Sequence, residues 1–216
     1  MKVINTDFYN YNENWVNTYI SPGIKDVPAK LAAEEVEKMG IGTNIYFANI
    51  FNERFCDTMV QIAENIEERR WHTDRHPSYP TTDIELHEVG LDNLYAQVLR
   101  DFMLPLAIET YQLEGSKPED YFAENFLIKY TPDKQNHLTI HNDSSMFTFN
   151  VSLNNDFQGG GIFFEKHNLT LQPMPGGAVL NPGMIGYKHG AKPIVSGKRY
   201  MLISFVLEKQ PYQRQW

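Results

Sequence analysis

The 216-residue chain is 42% apolar and 21% charged, the composition of a globular protein large enough to bury a core and short enough for one domain. Its 19 basic and 27 acidic residues leave a net charge of -8, which argues against nucleic acid as a partner and suits a cationic partner or plain solubility. A single cysteine rules out an internal disulfide, and no apolar run approaches the ~18 residues of a membrane span.

The N-terminus, MKVINTDFYN, lacks the apolar stretch of a signal peptide, so any secretory address must lie outside this chain. Residues 1–28, polar and aromatic with Ser-Pro-Gly at 21–23, read as an extended arm. PAKLAAEEVEKMG (28–40) predicts a short helix, with Pro28 in its first turn and Gly40 as its stop. Residues 1–40 are thus expected to pack as an arm and helix on a domain spanning 41–216.

IYFANIF (45–51) reads as a buried strand. Residues 52–70 predict a helix, because Phe55, Met59, Ile62 and Ile66 recur at spacings of three and four and form one apolar face. Cys56 lies in that stretch and reads as a small core residue. A polar loop, WHTDRHPSYP (71–80), leads into a strand, and 91–113 predicts a second long helix bent at Pro105.

From Tyr121 the pattern changes to short β-type runs separated by Gly and Pro turns: FLIKY, FTFNVSLN, GGIFFEK, LTLQP, GAVLNPG and KRYMLISFV. Strands at this density predict a sandwich or barrel, with the preceding helices covering one face. The fold class is therefore α+β.

His141 and Asp143 are two apart in an extended segment and project to the same side. An imidazole and a carboxylate suit Fe(II), Mn(II) or Zn(II), although a lone His-x-Asp is a weak signal that more often marks a solvated turn before an edge strand. His189 follows 46 residues after Asp143 and would complete a facial triad of two histidines and one carboxylate. Arg199 heads the last strand, where its guanidinium could hold a carboxylate through paired hydrogen bonds. In FTFNVSLN, Phe147, Phe149, Val151 and Leu153 share one face and Thr148, Asn150 and Ser152 the other. That polar face either meets water or lines a cavity, and the neighbouring His and Asp favour the cavity.

Other features carry less. His72, Asp74 and His76 could bind a second metal by their spacing, but a polar loop at a pocket mouth is the better account of them. Gly159–Gly161 lacks the Lys-Ser/Thr of a phosphate loop and reads as a tight turn. Lys198 should face away from Arg199. Sequons occur at Asn142, Asn150 and Asn168, and the first two fall within the candidate site.

The blocks KYTPDKQNHLTIHNDSSMFTFNVSLN (129–154), QGGGIFF (158–164), NPGMIGYKHG (181–190) and SGKRYMLISFV (196–206) resemble the catalytic domain of the procollagen lysine hydroxylases. IYFANIFNERFCDTMV (45–60) and YPTTDIELHEVG (79–90) are similar to the blocks preceding that core, so the resemblance covers about residues 13–208. It implies a double-stranded β-helix (jelly-roll) with N-terminal helices packed outside the sheet. It implies Fe(II) on His141, Asp143 and His189, and 2-oxoglutarate on Arg199, with Asn150 and Tyr130 reaching the same pocket. It further implies O2 as co-substrate, L-ascorbate as reductant, C5 of a collagen lysine as the hydroxylated position, and a homodimer.

The lack of a signal peptide and the single cysteine look more like the lysyl hydroxylase region of giant-virus bifunctional proteins than like animal enzymes, which work in the endoplasmic reticulum. In that case the chain is part of a longer polypeptide. One departure is visible: Tyr187 stands where the family has a histidine two residues before its distal ligand. A peptidyl-prolyl hydroxylase of the same superfamily, and a jelly-roll binding module with a non-catalytic metal site, remain the alternatives.

Overall fold

The computed structural model describes residues 4–34, 36–39 and 43–209. The N-terminal segment is helical, not the extended arm expected from its composition. A 3-10 turn over Thr6–Tyr9 precedes α1 (Glu13–Tyr19), α2 (Pro22–Lys25) and α3 (Ala29–Glu34). The Asn12 side chain caps α1 by accepting from the Trp15 amide at 3.0 Å, which satisfies a donor that the first turn leaves open. Trp15 is buried, its Nε1 donates to the Phe8 carbonyl at 2.8 Å, and both rings lean on Phe55. The large rings thus drive the order of this segment by docking on α4 (Glu53–Asn65).

The helix expected over 28–40 stops at Glu34. Glu37–Lys38 instead form strand β1, whose residues pair with β2 (Tyr46–Asn49), so a strand partner overrides helical propensity. Gly40, the expected stop, lies outside the described residues.

Asn52 caps α4 by accepting from the Phe55 amide at 3.2 Å, and its own amide donates to the Thr18 carbonyl at 2.7 Å, tying α1 to α4. Phe55, Met59 and Ile62 face inward as the spacing predicted. The helix ends five residues early, with Ile66 extended, and a 3-10 turn over Glu68–Arg70 follows. There the Glu68 carboxylate meets Lys129 at 2.7 Å, and the Lys129 ammonium sits 4.3 Å from the Trp71 ring centre.

The long helix over 91–113 is present but interrupted. α5 (Asp92–Val98) and α6 (Leu104–Thr110) are joined by a π-helical turn over Leu99–Met103. Pro105 has no N–H to give to the turn before it, and the wider π turn absorbs that gap.

The remaining strands are β3 (Asp83–Glu85), β4 (Tyr121–Tyr130), β5 (Leu138–His141), β6 (Phe147–Ser152), β7 (Gln158–Gly159) and β8 (Ile162–Phe164). Then follow β9 (Leu169–Leu171), β10 (Gly177–Pro182), β11 (His189–Ala191), β12 (Ile194–Ser196) and β13 (Arg199–Glu208). They form an antiparallel major sheet, ordered β1-β2-β10-β6-β13-β4-β3, and a minor sheet, β5-β11-β8-β9, with β12 and β7 as a separate pair.

The two faces of the major sheet differ as the alternation in FTFNVSLN suggested. Phe147, Phe149, Val151 and Leu202 share a core with Phe55, Met59 and Leu106 of the helices. On the opposite face Phe126, Ile128, Met201 and Ile203 meet Ile162 and Phe164 of the minor sheet. Thr148, Asn150 and Ser152 are buried on that inner side. Cys56 lies under the helical face, where its Sγ is 3.9 Å from the Ser152 carbonyl and burial pushes its thiol pKa up to about 12.

Removing the Trp15 ring should leave a cavity between α1 and α4. Trp15→Ala is expected to lower stability by about 3–5 kcal/mol. Urea denaturation followed by tryptophan fluorescence and circular dichroism measures this, and a change below 1 kcal/mol would mean the segment is not part of the core.

Candidate metal centre and adjoining pocket

Antiparallel pairing of β5 with β11 sets His141 directly opposite His189. Two residues distant in sequence therefore meet with no contribution from loop flexibility. Asp143 lies just past the end of β5. His141 Nε2 is 3.3 Å from Asp143 Oδ1, and His189 Nε2 is 3.6 Å from Asp143 Oδ2. One ligand atom from each of these three buried residues falls within a 4.8 Å cluster, the one such metal-type group among the described residues.

The groups around the cluster set its protonation. His141 Nδ1 lies 2.8 Å from the Thr139 carbonyl, and His189 Nδ1 lies 3.1 Å from that of Tyr187. A carbonyl can only accept, so each Nδ1 carries the proton and each Nε2 presents its lone pair to the cluster. Thr148 Oγ1 donates to Asp143 Oδ2 at 2.5 Å, and Ser145 Oγ donates to Thr148 Oγ1 at 2.9 Å.

Burial would raise the Asp143 pKa, but His189, His141 and the Thr148 hydroxyl outweigh it and hold the carboxyl below its ordinary value. Burial pushes the His189 pKa down. At His141 burial also acts downward, but the bond to Asp143 and the Thr139 carbonyl more than offset it, so its pKa is raised. An ionised Asp143 and a neutral His189 suit divalent metal binding, and the raised pKa of His141 makes it the imidazole that a proton claims first.

The cluster opens into a cavity of roughly 190 Å³ between the two sheets. Arg199, 2% exposed, lies at its inner end. Its guanidinium is 5.5 Å from the Tyr130 ring centre and 5.9 Å from that of Phe157. Its protein contact is a long 3.5 Å bond from Nη1 to the Gly161 carbonyl, and Nε has no partner among the described residues. Burial pulls its pKa down, with no carboxylate opposing among the described residues.

The turn at Gly159–Gly161 makes this approach possible. All three glycines have positive φ (82°, 79° and 100°), and a Cβ would come within 2.5 Å of the Pro193 carbonyl at Gly159, 2.9 Å of the Phe157 ring at Gly160 and 2.8 Å of Thr170 at Gly161. Lys198 faces outward to Glu64 at 2.8 Å, as its alternation predicted.

Asn150 and Tyr130 line the same cavity. The Asn150 amide donates to Asn181 Oδ1 at 3.0 Å, which fixes its plane. Tyr130 pairs with Arg199 across β4 and β13, and burial raises its phenol pKa to about 12, keeping the hydroxyl protonated.

The loop over 71–80 does not form a second metal site. His72 bonds to Glu88 at 2.8 Å, while His76 packs on Phe126 and Phe205 at the cavity edge. Asp83 is fully buried and bound to Arg75, a structural role, and Glu165 is exposed. Sequence reasoning did not single out the Ser145–Thr148–Asp143 relay or Tyr79, whose ring stands 5.2 Å from that of His141. The inward polar face of β6 was the available signal for Thr148.

No family model matches the chain. Among curated proteins, procollagen-lysine,2-oxoglutarate 5-dioxygenase 2 of Mus musculus is 31% identical over 219 residues, covering 94% of this chain and 28% of that one. The chain is a relative of the procollagen-lysine 5-dioxygenases. The Drosophila melanogaster procollagen-lysine,2-oxoglutarate 5-dioxygenase is 30% identical over 221 residues, again covering 94% of this chain and 30% of the relative. The chain thus spans less than a third of the length of these dioxygenases. A solved Pseudomonas putida prolyl-4-hydroxylase shares the fold, with a TM-score of 0.59 at 13% identity over 84% of this chain and 100% of that one.

Two outcomes test the cluster. Mn(II) affinity should fall as pH drops, beginning above the ordinary imidazole value of about 6.5, where a proton first competes for His141, and continuing below it as His189 is protonated. Thr148→Val keeps the volume but removes the bond to Asp143, and should weaken Mn(II) binding about tenfold. Titrations followed by electron paramagnetic resonance measure both, and a flat pH response would exclude the histidines as ligands.

Proposed function

We propose that this chain is the Fe(II)- and 2-oxoglutarate-dependent unit of a peptidyl-lysine 5-hydroxylase acting on Gly-X-Lys segments of collagen-like chains. In this reading O2 is consumed, succinate and CO2 are released, and ascorbate serves as reductant. The observation that carries it is Arg199, a buried guanidinium with no carboxylate partner among the described residues, in the cavity that also holds His141, Asp143 and His189. A buried charge of this kind is costly unless a ligand of opposite sign completes it. A small dicarboxylate fits that need, with one carboxylate at Arg199 and the other end toward the cluster.

The donor set fits Fe(II): two neutral imidazoles and one carboxylate are the facial arrangement that leaves coordination positions open. When bound, Fe(II) and 2-oxoglutarate supply the oxidising chemistry, and the protein supplies position and a dry cavity. His141 and His189 offer lone pairs from Nε2, Asp143 offsets part of the metal charge, and Thr148 holds Asp143 in place. Arg199, with Tyr130 and Asn150 beside it, orients the dicarboxylate. Substrate lysine rather than proline is supported by the names of the relatives, which act on procollagen lysine. Assembly as a homodimer belongs to the same reading, and light scattering of the purified chain would measure it.

Succinate formation from 2-oxoglutarate should require both Fe(II) and a Gly-X-Lys peptide, with mass spectrometry finding one added oxygen on the lysine. Asp143→Ala should abolish both readouts, and near-normal succinate release by that variant would sink the metal assignment. Arg199→Met removes an uncompensated buried charge. It should raise the stability of the ligand-free protein by about 1–4 kcal/mol while eliminating the thermal shift produced by 2-oxoglutarate. Retention of that shift would refute the role of Arg199.

A further inference from the structure

Strand β4 turns Tyr130, Ile128, Phe126 and Glu124 toward the cavity. The first three form an apolar and aromatic wall. The fourth is a carboxylate at a position where the alternation calls for another apolar side chain. Register locates it relative to the cluster. Glu124 pairs with Phe205, Phe205 pairs with Thr148, and Thr148 is bonded to Asp143. Glu124 therefore stands level with the cluster, two strands across, about 10 Å between backbones. Arg199 pairs with Tyr130 toward the other end of the same strands, and its guanidinium lines the same cavity as the cluster. The cavity is cationic at its floor and anionic at its rim.

The rim carries excess negative charge. Arg75 contacts Asp83 at 2.6 Å, Glu85 at 3.4 Å, and Glu124, so one guanidinium faces three carboxylates. Asp83 is completely enclosed and also accepts from Thr81. Glu85 is absent from the cavity lining, whereas Glu124 lines it and keeps 37% of its side-chain surface open, which leaves it the carboxylate able to meet an incoming group. His76 rests on Phe126 and Phe205, and Tyr79 on His141, so the loop over 71–80 roofs this end and limits water. A charge pair there is screened less than on open surface.

We infer that Glu124 is the specificity-determining residue that receives the ammonium group of the substrate side chain, with Arg75 holding the carboxylate in position. The inference rests on the lysine-hydroxylase reading and adds how lysine is chosen. The lysine ammonium sits on the carbon next to C5, so bringing C5 to the cluster carries the positive charge to the same level of the cavity. Glu124 offsets its loss of hydration. A proline ring brings no charge, and the same carboxylate gives it nothing.

The test is peptide binding by fluorescence anisotropy to protein loaded with Mn(II) and 2-oxoglutarate, using a Gly-X-Lys peptide and its acetyl-lysine counterpart. Glu124→Gln keeps the shape and an acceptor for Arg75. It should weaken the lysine peptide about five- to tenfold and leave the acetyl-lysine peptide, the 2-oxoglutarate affinity and the melting temperature unchanged. Unchanged lysine-peptide affinity, or equal loss for both peptides, overturns the assignment. Hydroxylation by the unaltered protein separates the two levels. If no 5-hydroxylysine forms but the lysine preference still tracks Glu124, the reaction fails and the ammonium site stands. If 5-hydroxylysine forms and the variant binds normally, the reaction stands and the Glu124 site fails.

Discussion

A guanidinium enclosed between two sheets, with no carboxylate beside it among the described residues, is the constraint around which the rest of this molecule is organised. Arg199 can occupy that place because β13 pairs along its whole length with β4 and is flanked by β6, which fixes the backbone. The glycine turn then brings a carbonyl near its headgroup. A polar cavity inside a small protein also requires a second, dry core to supply stability. The helices provide it on the other face of the same sheet, where Phe147, Phe149 and Val151 meet α4 and α6.

The cluster follows from strand pairing more than from loop shape. His141 and His189 face each other across one antiparallel pair, and each ring is turned by a carbonyl two residues before it. Asp143 is held through Thr148, which belongs to the major sheet. The three side chains are thus braced by both sheets. The loop after Asp143 is also locked to the turn before β11, since a Cβ on Gly183 would come within 2.2 Å of the Ser145 carbonyl.

Much of this was legible in the sequence because alternation and helical spacing report which face is buried. The inward polar face of FTFNVSLN, the outward Lys198 and the apolar stripe of α4 are examples. His141, Asp143, His189 and Arg199 were readable from spacing and chemistry once the strands were placed. The helical N-terminal segment was not, because a few rings separated by polar residues show no period until Phe55 gives Phe8 and Trp15 a surface. The early end of α3 was hidden for a similar reason: its continuation is claimed by β2, a partner that local propensity does not register. Glu124 stood in plain view within YFAENFLIKY, but its meaning depends on a register across three strands.

The placement of Cys56 has a consequence for durability. Its sulfur, the only thiol in the chain, sits on the helical side of the sheet, and burial keeps it protonated. Thiols are oxidised chiefly as thiolates and where reagents can reach them. A fold whose proposed reaction consumes O2 thus keeps this thiol behind a layer of hydrogen-bonded strands, away from the cavity. Oxidants escaping from the cavity would reach the thioether of Met201 in the cavity wall before they reached Cys56. Oxidative wear should therefore begin at the substrate pocket, and the core joining helices to sheet should outlast it.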